Sequence, residues 1–545
     1  MDLAHENEVQ RLITPYLSPK SWLAFLLKRS PELLMGGYSD LARGRSNLEC
    51  FWEMYKKVDP GHDMWGLPEI SGKLSTTIPM SLHGDEGRGQ KKSHTFVMML
   101  ESNLGLEPHL KRKREESFEP SARRQVVNIK EHSFLTKFVL CALPGHMFKR
   151  EDDDENETGS DPIWKLVTTL CKELRELATE GLEVSVVRWY VQITGVKGDQ
   201  DFFRKICDLK RCWKKQIGAG LAMCYECGAG TPELPFEDHS TNAGWTRTLY
   251  CERPWSDGVT PGINELVFDC QHPERALRRD IFHCTKMGTF RDLAGGCVLL
   301  CMWLGYWDQE GESNSRDVLF RRAHACFRLW CLANAKSPGL RSFSKQFFNV
   351  KTWRDYAWIN AKGSDCMLVL SWLQTQVHAF MLEPRNPGHL ELLGMMKTAL
   401  SFAVDFTQQT YKSALWLSRP EATLLCTRIG RFLKAYNVLA YWSKERYQFT
   451  AFPKKGKLHM IAHMRFDMKS WLRDGDISRF PNPQIHGCEA NEDVVGRLSR
   501  LSRRVSNRQA ARRTIELYLI KCKALHRRYL EECRRKASKP KPRGS

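Results

Sequence analysis

Ser75-Thr76-Thr77-Ile78-Pro79-Met80-Ser81-Leu82, running into His83-Gly84-Asp85-Glu86-Gly87-Arg88-Gly89, is the stretch on which the fold turns. Its first half is rich in β-branched and apolar residues and reads as a strand. Its glycine-rich second half reads as a turn, which puts Asp85 just past the strand end. Ser93 to Glu101 reads as the returning strand of a hairpin, and Thr136 to Leu143 as a third strand. Ile163, Leu166, Leu170, Leu174 and Leu177 then recur at helical spacing, predicting a helix from Pro162 to about Glu180. A fourth strand, Val184 to Thr194, ends at Gly195-Val196-Lys197-Gly198-Asp199, and Phe202-Phe203-Arg204-Lys205-Ile206 continues as helix.

Outward from this core the composition changes. Residues 1–70 read as a small helical region, with helices Glu8 to Tyr16, Ser21 to Arg29 and Asn47 to Val58. Residues 71–220 form the strand-rich core, with a charged insert over 106–125 and a solvated acidic loop at Glu151 to Glu157. Residues 221–290 hold two short Cys/His/Asp motifs. Residues 291–475, rich in Leu, Trp and Phe at helical spacing, read as an all-helical insertion. A helix opening at Asn491-Glu492-Asp493 and a basic helix fill 476–536, and 537–545 is a basic tail expected to be disordered. There is no internal repeat.

The chain's 545 residues exceed one ordinary core, so two to four domains are expected. Lys+Arg outnumber Asp+Glu by 83 − 63 = 20, which favours an anionic partner, most simply nucleic acid. From 501 to 545 about 15 Lys/Arg face three Glu, ample to neutralise phosphates. Trp22 to Leu27 is followed by Lys28-Arg29 without a cleavage pattern, and the longest apolar run, Gly295 to Trp307, is too short to span a bilayer. An intracellular protein with no membrane segment is expected, its 19 cysteines mostly reduced.

Four constellations carry chemistry. Asp85, Asp199 and Glu492 offer carboxylates from separate elements, which a pair of Mg²⁺ (or Mn²⁺) ions needs in order to keep positions open for substrate. Glu489 and Asp493 compete with Glu492 at the same helix start. Cys224-x-x-Cys227 is half of a zinc site, and His239, Cys251, Cys270 and His272 are all available to complete it. Asp280 and His283 share one helical face, where the carboxylate can orient a metal ligand or the pair can contact a phosphate. His459 and His463 stand one helical turn apart with no Glu at the zincin position, and packing is the expected role of that pair.

Hairpin, third strand, helix, fourth strand is the opening order of an RNase H-like fold, in which acids at the first and fourth strands face each other at the sheet edge. In sequence order, Asp85, Asp199, Cys224/Cys227, Asp280/His283 and Glu492 resemble the motif series of eukaryotic cut-and-paste DDE transposases. The likeness is nearest to CACTA/EnSpm-like elements and looser to hAT elements. The His83-Gly84-Asp85-Glu86-Gly87-Arg88-Gly89 and Asn491-Glu492-Asp493-x-x-Gly496-Arg497 segments also resemble transposase-like proteins of dinoflagellates. This resemblance implies an RNase H-like α/β core interrupted by an all-α insertion, with a helical N-terminal region and a basic C-terminal helix. It implies two-metal DNA cleavage and joining by Asp85, Asp199 and Glu492, structural zinc at Cys224 and Cys227, and an accessory role for Asp280 and His283. DNA ends and target as partners and a nuclear location follow from it, and it allows a homo-oligomer. The alternative is a non-catalytic basic nucleic-acid-binding protein, either a domesticated transposase or nucleoprotein-like.

Overall fold

The computed structural model describes residues 14–89, 93–107, 121–147, 161–216, 220–352 and 355–537. Most of the charged insert, the acidic loop, the basic tail and the start of the expected first helix lie outside the described residues. The chain is a mixed α/β protein of two compact units. One comprises Met1–Lys210, Pro254–Arg278 and Glu489–Ser545; the other comprises Arg211–Arg253 and Arg279–Cys488.

The first unit is built on a mixed sheet. Its strands are β1 (Thr77–Arg88), β2 (His94–Ser102), β3 (Phe138–Pro144), β4 (Leu182–Val184), β5 (Val187–Lys197) and β6 (Leu277–Arg278). The spatial order is β3-β2-β1-β5-β4, with β6 also pairing with β5. β1 and β2, and β2 and β3, are antiparallel, whereas β5 runs parallel to β1 and β6 parallel to β5. A parallel neighbour cannot be reached by a hairpin. The Asp161–Thr179 helix supplies the crossover and buries Ile163, Leu166, Leu170, Leu174 and Leu177.

β1 is longer than its glycines suggest. It does not turn at Gly84 but stays paired with β2 as far as Arg88↔His94. A Cβ on Gly84 would stand 2.0 Å from the Phe202 ring, and one on Gly87 would stand 2.0 Å from Ser499 Oγ. These glycines admit helices onto both faces of the strand, a use of strand glycine that sequence pattern confuses with a turn. The fourth strand is likewise two. Ser185 and Val186 both adopt positive φ (52° and 60°) between β4 and β5, a tight hairpin turn made without glycine. The third strand begins two residues later than expected, because Ser133–Thr136 closes a helical turn first.

The outer strand β3 is covered rather than left open. The Tyr518 hydroxyl accepts from Val139 N–H and donates to the Lys137 carbonyl, and Trp22 Nε1 donates to the Val139 carbonyl. Tyr518 lies on the long Ala510–Ala537 helix, so the basic C-terminal helix is also a cover for a sheet edge.

Beneath the sheet's second face sits a buried charge cluster. Glu101 forms ion pairs with both Lys137 and Lys197, and Lys137 Nζ also donates to the Asn128 carbonyl at 2.6 Å. Burial raises the Glu101 pKa, but the two lysines overcome it and hold the carboxyl down at about 2.

The second unit is mainly helical. Its long helices are Phe290–Trp303, Arg316–Ala333, Gly363–Leu382, Leu390–Lys412, Arg419–Glu445 and Gly456–Arg473. The Phe290–Trp303 helix is buried nearly all round, which accounts for the apolar run in the sequence. A two-stranded ribbon, Trp416–Ser418 with Arg479–Pro481, interrupts the helical pattern. Among the described residues no helix is long and apolar enough to cross a membrane.

The Glu101 cluster gives a pH-dependent prediction. A carboxyl whose folded pKa (about 2) lies below its ordinary value of 4.5 stabilises the fold fully above 4.5 and loses that contribution as pH falls through 2. Glu101→Gln removes the carboxylate that two buried lysines share and is expected to cost about 3–5 kcal/mol at pH 7. Denaturant melts should show the gap to wild type narrowing between pH 4.5 and 2; a gap independent of pH would contradict this.

Candidate metal centres

In the second unit, the residues on either side of Cys224 and Cys227 fold into a closed loop. Met223 N–H donates to the Ala229 carbonyl at 2.8 Å, Gly230 takes φ +122°, and Glu226 N–H points at Cys224 Sγ at 3.4 Å. Both thiols are thereby turned inward and fully buried. They face the Gly456–Arg473 helix, where His459 and His463, four residues apart, project from one side.

The four donor atoms lie within 4.8 Å of one another. His463 Nε2 is 3.5 Å from Cys224 Sγ and 3.4 Å from Cys227 Sγ, and His459 Nε2 is 3.4 Å from Cys227 Sγ. Zinc–sulfur and zinc–nitrogen bonds of about 2.3 and 2.0 Å give tetrahedral edges of roughly 3.3–3.8 Å, so the donor set is sized for such an ion. The two histidine Nε2 atoms face each other at 3.0 Å. His459 Nδ1 lies 3.1 Å from the Phe236 carbonyl; donation there leaves Nε2 as the bare, ligating nitrogen.

The outer shell has the chemistry of a metal site as well. His463 Nδ1 faces the Glu226 carboxylate at 3.7 Å, and that carboxylate is held by Arg279 Nε at 2.9 Å and the Tyr250 hydroxyl at 3.2 Å. The Trp245 ring closes the site 4.5 Å from His463 and 4.8 Å from His459, centroid to centroid. Burial opposes ionisation of Cys224, yet Cys227 and His463 hold its thiol well below the usual range. Cys224, Cys227, His459 and His463 can therefore hold a metal ion such as zinc.

This corrects the sequence reading at two points. His459 and His463, expected to be packing residues, complete the donor set. None of the four downstream candidates does. His239 is buried with its Nδ1 on Asn437 Nδ2 at 3.0 Å, and Cys251 is exposed over the Arg247 and Leu249 carbonyls. Cys270 and His272 belong to the other unit, where Cys270 is exposed and His272 faces Glu274 at 3.4 Å. The usable signal was the i,i+4 histidine spacing itself, set aside because no Glu stands at the zincin position; the pair lies more than 230 residues beyond Cys227.

Asp280 and His283 do meet. Asp280 Oδ2 is 2.5 Å from His283 Nδ1, while Oδ1 accepts from Phe282 N–H (2.8 Å) and Cys488 N–H (3.0 Å). Burial would raise the Asp280 pKa, but His283 and these N–H groups lower it. Its carboxylate is engaged in fixing backbone.

The acidic set lies in the first unit. β1 and β5 are in register at Ser81↔Gly195, Leu82↔Val196 and His83↔Lys197. Two residues further along each strand come Asp85 and Asp199. The backbones still touch there, since a Cβ on Gly198 would stand 2.8 Å from the Gly84 carbonyl oxygen. Asp85 is within β1, opposite Val97, rather than past its end. Asp199 caps the Gln200–Cys207 helix, its Oδ1 accepting from Phe202 N–H at 2.8 Å.

Glu492 lies in the first turn of the Glu489–Ser502 helix. Asn491 Nδ2 reaches Glu101 Oε1 at 3.1 Å, and Glu101 is the strand partner of Ser81. Val495 and Ser499 abut Gly87. The Glu489–Ser502 helix, which carries Glu492, therefore lies on the face of β1 and β2 that bears Gly87 and Glu101. Asp85, Gly87 and Lys197 share the covered face by strand alternation, and Asp199 continues from Lys197. All three acids are half-buried. Asp493 is otherwise committed, its Oδ2 taking the Ser133 hydroxyl and Arg497 Nε, each at 2.6 Å.

Among the described residues, Cys224, Cys227, His459 and His463 are the donor group gathered tightly enough for a single ion. Asp85, Asp199 and Glu492 are not gathered that tightly. No protein-family model and no curated protein matches the chain.

Purified protein is expected to carry one zinc per chain by elemental analysis. Cys227→Ser and His463→Ala should each lose it and lower the melting temperature, and chelation of wild type should give the same lower value. Retention of full zinc and unchanged melting in both variants would exclude the site.

Proposed function

We propose that the chain is a DDE-type DNA transposase with an RNase H-like core, cleaving and joining DNA phosphodiesters with Asp85, Asp199 and Glu492 as the metal-binding acids. The observation that carries this reading is the arrangement of Asp85 and Asp199 at neighbouring points of two parallel central strands, with Glu492 on the helix covering the same face. The order β3-β2-β1-β5 with a further parallel strand, β6, supports an RNase H-like core. So does the topology of the second unit, which leaves the first after Arg278 and returns at Glu489, just before the third acid.

Two Mg²⁺ or Mn²⁺ ions bound there would activate the attacking oxygen and stabilise the leaving one. The protein's own part is to hold the acids. The strand pairing of β1 fixes Asp85, the helix cap fixes Asp199, and the packing of Val495 and Ser499 on Gly87 fixes the helix that carries Glu492. The net charge of +20 suits a polyanionic substrate, bound through phosphates without sequence preference. On this reading the Cys/His centre is structural zinc, joining a loop and a helix remote in sequence.

The test is nicking of supercoiled DNA with Mg²⁺ or Mn²⁺ by wild type, Asp85→Asn and Asp199→Asn. Asparagine removes charge but still caps a helix, so Asp199→Asn preserves local structure. Wild type should nick, and each variant should lose about 100-fold or more while binding DNA with unchanged salt dependence. Salt-sensitive binding without nicking by any of the three would instead favour a non-catalytic nucleic-acid-binding protein.

A further inference from the structure

We propose that Glu101 is a positioning residue for the acid edge, tying the chain segments of Asp199 and Glu492 to one buried carboxylate; the proposal rests on the reading of those acids as metal ligands. Glu101 lies on β2, the strand paired with β1, and is 3% exposed. Its Oε1 takes two donors. One is Lys197 Nζ, from the last residue of β5, two before Asp199. The other is Asn491 Nδ2, from the residue immediately before Glu492, at 3.1 Å. Its Oε2 takes Lys137 Nζ, which the Asn128 carbonyl anchors from the other side.

Beside the two ion pairs stands the Asn491 amide, wholly buried and donating to a carboxylate that already has two cationic partners. That bond holds the first turn of the Glu489–Ser502 helix, which carries Glu492, against β2. Glu101 thus acts on the acids through Lys197 and Asn491, as an outer partner acts on a metal ligand.

Asn491→Ala tests this, because it cuts the link to the helix and leaves both ion pairs intact; Glu101→Gln is the second variant. The full chain is used, and zinc content and thermal melting monitor the fold. The metal titrated is Mn²⁺, and DNA nicking is the readout. In Asn491→Ala the Mn²⁺ concentration for half-maximal nicking should rise about tenfold, with nicking at saturating Mn²⁺ little changed. Amide exchange in a peptide spanning 489–496 should quicken, with no change in one spanning 19–29. Glu101→Gln should shift the Mn²⁺ dependence in the same direction. Wild-type nicking with an unmoved Mn²⁺ dependence in both variants overturns the proposal and leaves the functional reading intact. A wild type that never nicks overturns the functional reading, and the proposal with it.

Discussion

The parallel pairing of β1 with β5 is the constraint from which the first unit follows. Parallel neighbours exclude a hairpin between them, so the chain must leave the sheet, cross over through the Asp161–Thr179 helix and return alongside β1. Both strands are then central and covered on two faces, which is why their sequences run apolar or small without alternation. Parallel direction also sends both strands out at the same end of the sheet. Asp85 and Asp199 come to neighbouring positions for that reason, although 113 residues of chain separate their strands at the Ser81–Thr194 contact.

The close approach of backbones and helices there depends on glycine. Gly84 and Gly198 leave room for Phe202 and for each other, and Gly87 leaves room for Ser499. A residue with a side chain at any of the three would push a helix away from the strands that carry the acids. The same glycines explain where sequence pattern misleads. Gly84-Asp85-Glu86-Gly87 looks like a turn because local propensity cannot see that a helix some 400 residues later will occupy the space. The hairpin turn at Ser185-Val186 was invisible for the opposite reason, since neither residue is a usual choice at positive φ.

What was legible was local and periodic. The Asp161–Thr179 helix announces itself by the spacing of Ile163, Leu166, Leu170, Leu174 and Leu177, and the strands by their apolar runs. Cys224 and Cys227 were legible as half a metal site because two thiols three apart on a tight loop are a known ligand geometry. Their partners were not, because His459 and His463 are brought in by the packing of a whole helical unit. A pair of histidines on a helix has no local mark that separates a ligand from a core residue. Only the Phe236 and Glu226 contacts on their far nitrogens do so. Likewise the sequence does not tell Glu492 from Glu489 and Asp493 at the same helix start; in the structure Asp493 is bound by Ser133 and Arg497.

The central claim is that three carboxylates held by this sheet form a two-metal centre. A crystal of the protein soaked in Mn²⁺ and measured at the manganese absorption edge tests it most directly. The account predicts two anomalous peaks about 3.5–4 Å apart, bounded by Asp85, Asp199 and Glu492 and absent from crystals of Asp199→Asn. Manganese bound elsewhere, or no peak at these residues at millimolar Mn²⁺, would contradict it.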